Sequence, residues 1–434
     1  MYSTIRTILQ SWFERKLPQT IERDIDIFRY INVRVPKIIV ITGFRRVGKT
    51  YLLFQTIKEL LKEHDKKEIA YINFDDERIP RKSEFLTGLM PVIKELSSKP
   101  EFLFLDELQE MPDWSRWLRR IYDTEDLKIF VTGSSSKMSS REIPSELRGR
   151  AVEVRVFPLS FREFMRFRGK NLDLGGIEYS DDRKAEIRRM MEEYIYYGGM
   201  PEIALSPEEI RFDIIQEYFS TVVRRDIIER YGVKNEEGLK ALLRLLLNST
   251  QYSISKLYNT MKSMGYEIGK VTLQSYMGYI ESSYFINSIS ILSPKVKDQM
   301  QYPRKLYFID NGFISALSTR FSKNTGRLYE NAVAVELMRR YQGVDQEIHY
   351  WKGSNGKEVD FVVKNGMEIK ELIQVAYDLW EESTRKRELS SLVRASDELE
   401  CENLTVITGE EDSVVEYRGK EIRMLPLWRW MLEH

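Results

Sequence analysis

The sequence predicts an α/β protein organised around a parallel β-sheet, and three observations carry that prediction. Short apolar runs recur across 33–131 and alternate with segments of helical period, the order required by a sheet with helices on its faces. Lys37-Ile38-Ile39-Val40-Ile41-Thr42 runs directly into Gly43-Phe44-Arg45-Arg46-Val47-Gly48-Lys49-Thr50, a full GxxxxGK[ST] pattern. Phe102-Leu103-Phe104-Leu105-Asp106-Glu107 places four hydrophobic residues before two acids, as at the end of a buried strand.

Each element has a local cause. After the glycine pattern, Leu52, Leu53, Ile57, Leu60 and Leu61 recur at helical spacing, so strand, loop and helix occur in order. Further strands are expected at 68–74, 101–106 and 127–133. Gly43 and Gly48 let the backbone curl so that its N–H groups converge on phosphate oxygens, and the helix N-terminus adds positive potential beneath them. The pattern therefore predicts a nucleoside triphosphate, ATP, held by Gly43, Phe44, Arg45, Arg46, Val47, Gly48, Lys49, Thr50 and Tyr51. Lys49 is expected at the β- and γ-phosphates, and Thr50 is expected to ligate Mg2+ together with Asp106. Glu107 is expected to orient and deprotonate the attacking water, which predicts hydrolysis rather than passive binding. Beyond Phe130-Val131-Thr132-Gly133, Ser134 or Ser135 is expected to sense the γ-phosphate. Arg148 and Arg150 are candidates for a guanidinium that reaches a phosphate, in cis or from a neighbouring subunit.

Composition bounds the rest. A chain of 434 residues predicts two or three domains. Lys+Arg 67 against Asp+Glu 67 leaves no global basic field, so any nucleic-acid surface is a local patch. One cysteine, Cys401, makes no internal disulfide and fits a reducing compartment. His64, His349 and His434 with that cysteine leave too few ligands for a His/Cys zinc site. No apolar run is long enough to cross a bilayer and the N-terminus lacks a secretory pattern, so a cytoplasmic protein with no membrane partner is expected.

Further along, Ser253-Ile254-Ser255-Lys256-Leu257 reads as a capped helix start. In a second helix over 271–281, Leu273, Tyr276, Met277 and Ile280 share one face. Thr272, Gln274, Ser275 and Tyr279 are left more exposed, with Lys256, Lys262 and Lys270 near enough for phosphate contacts. Strand signals return at 348–351, 359–364, 372–377 and 404–408, with a helix over 326–340 and another over 384–399. The domains are expected at 1–205, with a helical lid continuing to about 230, then 206–321 and 322–434.

The motifs Gly-Phe-Arg-Arg-Val-Gly-Lys-Thr, Phe-Leu-Phe-Leu-Asp-Glu, Thr-Gly-Ser-Ser-Ser, Leu-Arg-Gly-Arg, Phe-Pro-Leu-Ser-Phe-Arg-Glu-Phe and Gly-Gly-Met-Pro-Glu occur in this order. Together they resemble a prokaryotic, largely archaeal family of AAA-superfamily ATPases. That resemblance implies a P-loop NTPase parallel sheet with helical lid, then a winged helix-turn-helix, then a small α/β restriction-endonuclease-like domain. It makes DNA an expected partner of the winged helix; the alternatives are a signalling switch whose appendages contact proteins or self-associate, and an active DNA-processing nuclease. In the nuclease superfamily of PD-(D/E)xK type, carboxylates gather Mg2+ and a lysine activates water. Glu330 and Asp360 match that pattern, whereas Gln374 brings no charge to the metal position and Ala376 no cation, so a non-catalytic or weakened domain is expected. The hairpin register is open between two alternatives. A two-residue loop at Asn365-Gly366 pairs Asp360 with Glu371 and destroys the site, and a three-residue loop pairs Asp360 with Leu372 and keeps Gln374, with Lys370, on the Asp360 face.

Overall fold

The computed structural model describes residues 1–31, 33–97, 99–133, 147–170, 180–319, 324–343, 345–354 and 356–433. It comprises two compact units: residues 1–156 with 282–284, and 157–281 with 285–433 of the described chain. The boundary between these compact units falls at Val156, inside the first domain expected at 1–205, because the helices after 157 pack with residues C-terminal to them. A contact boundary of this kind cannot be seen in local composition.

The first unit is a five-stranded sheet in the order β2-β3-β4-β1-β5. Its strands are β1 (Ile38–Gly43), β2 (Ile69–Asn73), β3 (Phe102–Asp106), β4 (Lys128–Gly133) and β5 (Ala151–Val156), and every pairing is parallel. β1 to β4 are apolar almost throughout because parallel strands are buried on both faces. Phe104 and Phe130 stack across β3 and β4 with centroids 4.3 Å apart. Helices Tyr2–Glu14, Ser83–Leu96 and Trp114–Thr124 supply Ile5, Leu9, Phe85, Leu89, Leu118 and Ile121 to one core with the sheet. The sequence signal missed β5: Ala-Val-Glu-Val-Arg-Val alternates apolar and charged residues, and an edge strand exposed along part of its length tolerates that pattern.

Gly43 ends β1 with φ 143°, and a Cβ placed there would lie 2.3 Å from the Val156 carbonyl oxygen on β5. Only glycine lets β1 and β5 close up at the root of the loop.

The second unit begins with helices Phe161–Phe167, Asp181–Tyr197, Pro201–Leu205 and Arg211–Thr221, followed by a π-helical segment Val222–Glu229 and helix Glu236–Leu247. Next come β6 (Gln251–Tyr252), helices Ile254–Ser263 and Lys270–Ser282, β7 (Ile286–Ile289) and β8 (Arg304–Phe308). The three strands form an antiparallel sheet in the order β6-β8-β7. Leu273, Tyr276, Met277 and Ile280 are buried as the helical period predicts.

Asp310 caps helix Asn311–Leu317 by accepting from the Gly312 amide at 2.9 Å, and it also accepts from the Gly199 amide at 2.6 Å. A Cβ on Gly198 would lie 1.7 Å from Asp310 Oδ1, so the Gly-Gly pair is the notch that this carboxylate fills. Burial pushes Asp310 up to about 6, against the two amide hydrogen bonds and Arg339, which lower it. A carboxyl group raised above its unfolded value of about 3.9 favours folding most below that value and loses this contribution as pH rises through the folded value. The expected outcome is that the stability difference between the native chain and Asp310→Asn changes between about pH 4 and 6 and is flat above, measured by denaturant melts at stepped pH.

The C-terminal part has six strands in the order β13-β14-β12-β11-β10-β9. They are β9 (Gln346–Lys352), β10 (Glu358–Asn365), β11 (Glu368–Ala376), β12 (Leu404–Thr408), β13 (Ser413–Tyr417) and β14 (Lys420–Pro426). Helix Thr325–Arg340 precedes this sheet, and helix Glu382–Leu399 covers it with Leu389, Leu392 and Val393 inward, as expected. Both sequence registers of the β10–β11 hairpin are corrected. Asn365 pairs with Glu368 across Gly366-Met367, a bulge interrupts the ladder between Val363 and Lys364, and Phe361 then pairs with Ile373. The bulge adds one residue on β11 and brings Gln374 to the Asp360 amide, where Gln374 Oε1 accepts at 3.3 Å. Lys370 is left on the surface, paired with Glu368 at 2.6 Å.

Candidate functional site

In the first unit the glycine loop, β2, β3 and β4 converge on one carboxylate. Asp106 closes β3, is fully buried, and accepts hydrogen bonds from Thr50 Oγ1 (2.8 Å), Tyr71 Oη (2.9 Å) and Thr132 Oγ1 (2.5 Å). Strand order explains the convergence: β2 and β4 flank β3, and Thr50 stands in the first turn of helix Lys49–Leu60 after the loop. Burial pushes Asp106 above the usual carboxylate range, as does Glu107, while the hydroxyls of Thr132, Thr50 and Tyr71 oppose the shift. Burial also raises the Tyr71 phenol, with Asp106 adding to the shift, so Tyr71 stays protonated and keeps donating. A buried carboxylate beside a hydroxyl offers hard oxygen donors only, the set that suits Mg2+.

Glu107 adopts a left-handed conformation at φ 55° and ψ 41°. A non-glycine residue held there costs ~1–3 kcal/mol and such residues cluster at working sites. Its amide donates to Thr132 Oγ1 at 2.9 Å, and Gln109 Nε2 donates to its Oε2 at 2.5 Å. Both ends of Glu107 are therefore held from beneath.

Lys49 is buried, and its ammonium donates to the carbonyls of Gly43 (3.1 Å) and Phe44 (3.2 Å). Phe44 and Val47 point into the core, so they bring only backbone to the loop, whereas Tyr51 is exposed. Gly48 at φ 97° and Arg46 at φ 69° bend the loop into the helix. Arg23, buried outside the motif, donates from Nη1 to the Val47 carbonyl at 2.8 Å and so braces the loop from behind.

One sequence expectation changes, and one falls outside the described residues. Arg148 and Arg150 precede β5, and the Arg150 carbonyl accepts from the Ile38 amide at the start of β1. The loop leaves the other end of β1, so neither arginine reaches a phosphate at the loop of its own chain; Arg150 pairs with Asp123 at 3.1 Å instead. Ser134 and Ser135 lie outside the described residues, and the hydroxyl that meets Asp106 and Glu107 is that of Thr132. Tyr71, Gln109 and Arg23 had no sequence signal, because their roles depend on strand order and on loop packing.

In the second unit Glu330 and Asp360 come together around a residue not foreseen, with Gln374 beside them at the Asp360 amide. Lys305 on β8 is 4% exposed and its Nζ lies 2.7 Å from Asp360 Oδ1, 3.0 Å from Glu330 Oε1 and 3.1 Å from Glu358 Oε1. Gln374 turns its amide nitrogen to Glu388 at 2.7 Å. The two carboxylates of the expected metal set thus already hold an ammonium.

Residues 35–165 match the AAA domain family. Residues 188–324 and 325–430 match two families described as domains of unknown function, DUF8612 and DUF4143. The chain is 37% identical over 429 residues to the uncharacterized protein MJ1544 of Methanocaldococcus jannaschii, covering 96% of this chain and 92% of that one. An uncharacterized protein of Haemophilus influenzae is 28% identical over 395 residues, covering 90% and 93%. Among solved structures, the Walker-type ATPase PABY2304 of Pyrococcus abyssi aligns with 18% identity and a TM-score of 0.44, over 70% of this chain and 99% of that one. No helix among the described residues is long and apolar enough to cross a membrane. The chain belongs to the family of MJ1544, and its first unit carries an AAA-type P-loop ATPase domain.

Proposed function

We propose that this protein hydrolyses ATP at the 43–50 loop and uses the cycle to move its second unit. The observation that carries this reading is the Asp106 carboxylate, buried and held by Thr50 from the loop and by Thr132 from the neighbouring strand. Lys49 binds the β- and γ-phosphates, exchanging its two carbonyl partners for phosphate oxygens. The backbone amides of Arg45 to Thr50 orient the phosphate chain, with the helix N-terminus behind them. Thr50 and Asp106 would hold Mg2+, which would supply positive charge against the charge that develops on the phosphates. Glu107 takes a proton from the attacking water, kept in position by Thr132 and Gln109. Arg148 or Arg150 supplies a guanidinium only to a neighbouring copy.

Helices Glu236–Leu247, Ile254–Ser263 and Lys270–Ser282, taken with the antiparallel sheet β6-β8-β7, have the element order of a winged helix. Lys256, Lys262, Lys270, Thr272 and Gln274 are exposed, and this is the face we assign to DNA contact. The C-terminal sheet is read as nuclease-like in topology and as a non-cleaving module. The domains are proposed at 1–205, 206–321 and 322–434, with the lid drawn into the second compact unit.

ATP turnover measured with and without Mg2+, over a range of protein concentrations and with branched, nicked or linear DNA, tests the reading. Mg2+-dependent turnover is expected, with a rate per chain that rises with concentration and with structured DNA at low salt. Absence of both ATP binding and turnover sinks the proposal. Turnover indifferent to all DNA, with no DNA shift at low salt, moves the second unit to protein contacts.

A further inference from the structure

The structure assigns to Lys305 the place of a metal ion: its ammonium is the resident cation of the Glu330–Glu358–Asp360 pocket, and a divalent cation enters only when Lys305 leaves. An ammonium has three N–H donors, and each of the three carboxylates lies within 3.1 Å of this one. A divalent cation bound to the same oxygens sits about 2.0–2.6 Å from them, which is the volume that Nζ fills. Two cations cannot share it. The carboxylates are fixed independently: Tyr307 Oη donates to Glu330 at 2.7 Å, Gln251 Nε2 to Glu358 at 3.2 Å and the Val375 amide to Asp360 at 2.9 Å. The pocket is therefore built, not a chance meeting of surface acids. Burial alone would lower the Lys305 pKa, but Asp360, Glu330 and Glu358 hold it well above its ordinary value, so the ammonium stays charged.

Lys305 and its neighbour Tyr307 stand on β8, while Glu330, Glu358 and Asp360 stand on helix Thr325–Arg340 and on β10. The ammonium therefore clasps the three-stranded sheet to the six-stranded one. It also brings to the pocket the positive charge that Ala376 lacks. In this closed form the residues do not fit a metal-dependent cleavage site, and the C-terminal module is a clasp.

Mn2+ titration of the nucleotide-free full chain, monitored by electron paramagnetic resonance, tests it. The native chain and Asp360→Asn are expected to bind the same number of Mn2+ ions. Lys305→Met is expected to gain one bound ion, and Lys305→Met with Asp360→Asn to lose it again. Should Lys305→Met not fold, Lys305→Gln keeps donors without charge and gives the same readout. A native Mn2+ site lost in Asp360→Asn alone overturns the proposal, because metal would then coexist with Lys305. A folded Lys305 variant with no added site overturns it equally.

Discussion

Glu107→Gln is expected to bind ATP as the native chain does and to turn it over about 10²–10⁴-fold more slowly, the usual contribution of a positioned general base. The substitution preserves shape. The amide keeps an acceptor for Gln109 Nε2, and the backbone bond to Thr132 Oγ1 is untouched, so the left-handed turn at φ 55° survives. What disappears is the ability to accept a proton from water. Calorimetric ATP affinity beside single-turnover hydrolysis separates the two effects. A variant that hydrolyses ATP at the native rate would show that the base lies elsewhere, and a variant that no longer binds would show that Glu107 supports the loop rather than the chemistry.

Lys49→Ala is expected to weaken ATP by about 3 kcal/mol or more, roughly a 150-fold rise in Kd. The ammonium is buried between the Gly43 and Phe44 carbonyls, on the inner side of the loop. Its removal leaves the phosphate chain with amide dipoles and no full positive charge in that position. The fold is expected to survive, because strands β1 and β3, the Arg23 brace on Val47 and the Asp106 hydroxyl set do not involve Lys49. Isothermal titration with ATP, paired with a thermal melt of the nucleotide-free variant, measures both statements. Unchanged ATP affinity in a folded Lys49→Ala protein would remove the loop from nucleotide binding.

The part of the molecule that was legible in the sequence is the part whose information is local. The β1 run, the glycine loop and the Phe102–Asp106 strand are each specified by contiguous residues, and the structure places them as expected. Amphipathic helices were legible for the same reason: Leu389, Leu392 and Val393, or Leu273, Tyr276, Met277 and Ile280, repeat with the helical period and are buried. β5 escaped because an edge strand tolerates charge and does not present the solid apolar run that marked its neighbours. The hairpin register escaped because one bulged residue reverses which side chains face the sheet, and periodicity carries no mark of a bulge.

By itself the sequence determined that a phosphate-binding loop and an acidic strand end share one α/β unit, since both are written in runs of a few adjacent residues. Only the tertiary structure decided which side chains serve them. Tyr71, Thr132 and Gln109 gather around Asp106 and Glu107 because strand order sets β2 and β4 beside β3, and Arg150 is withdrawn because β5 runs parallel to β1 and starts beside its first residue, at the end away from the loop. Lys305 finds Asp360 across 55 residues of chain for the same reason. Hydrogen bonds and ion pairs act over about 3 Å of space, and distance along the chain does not predict distance in space once sheets are assembled.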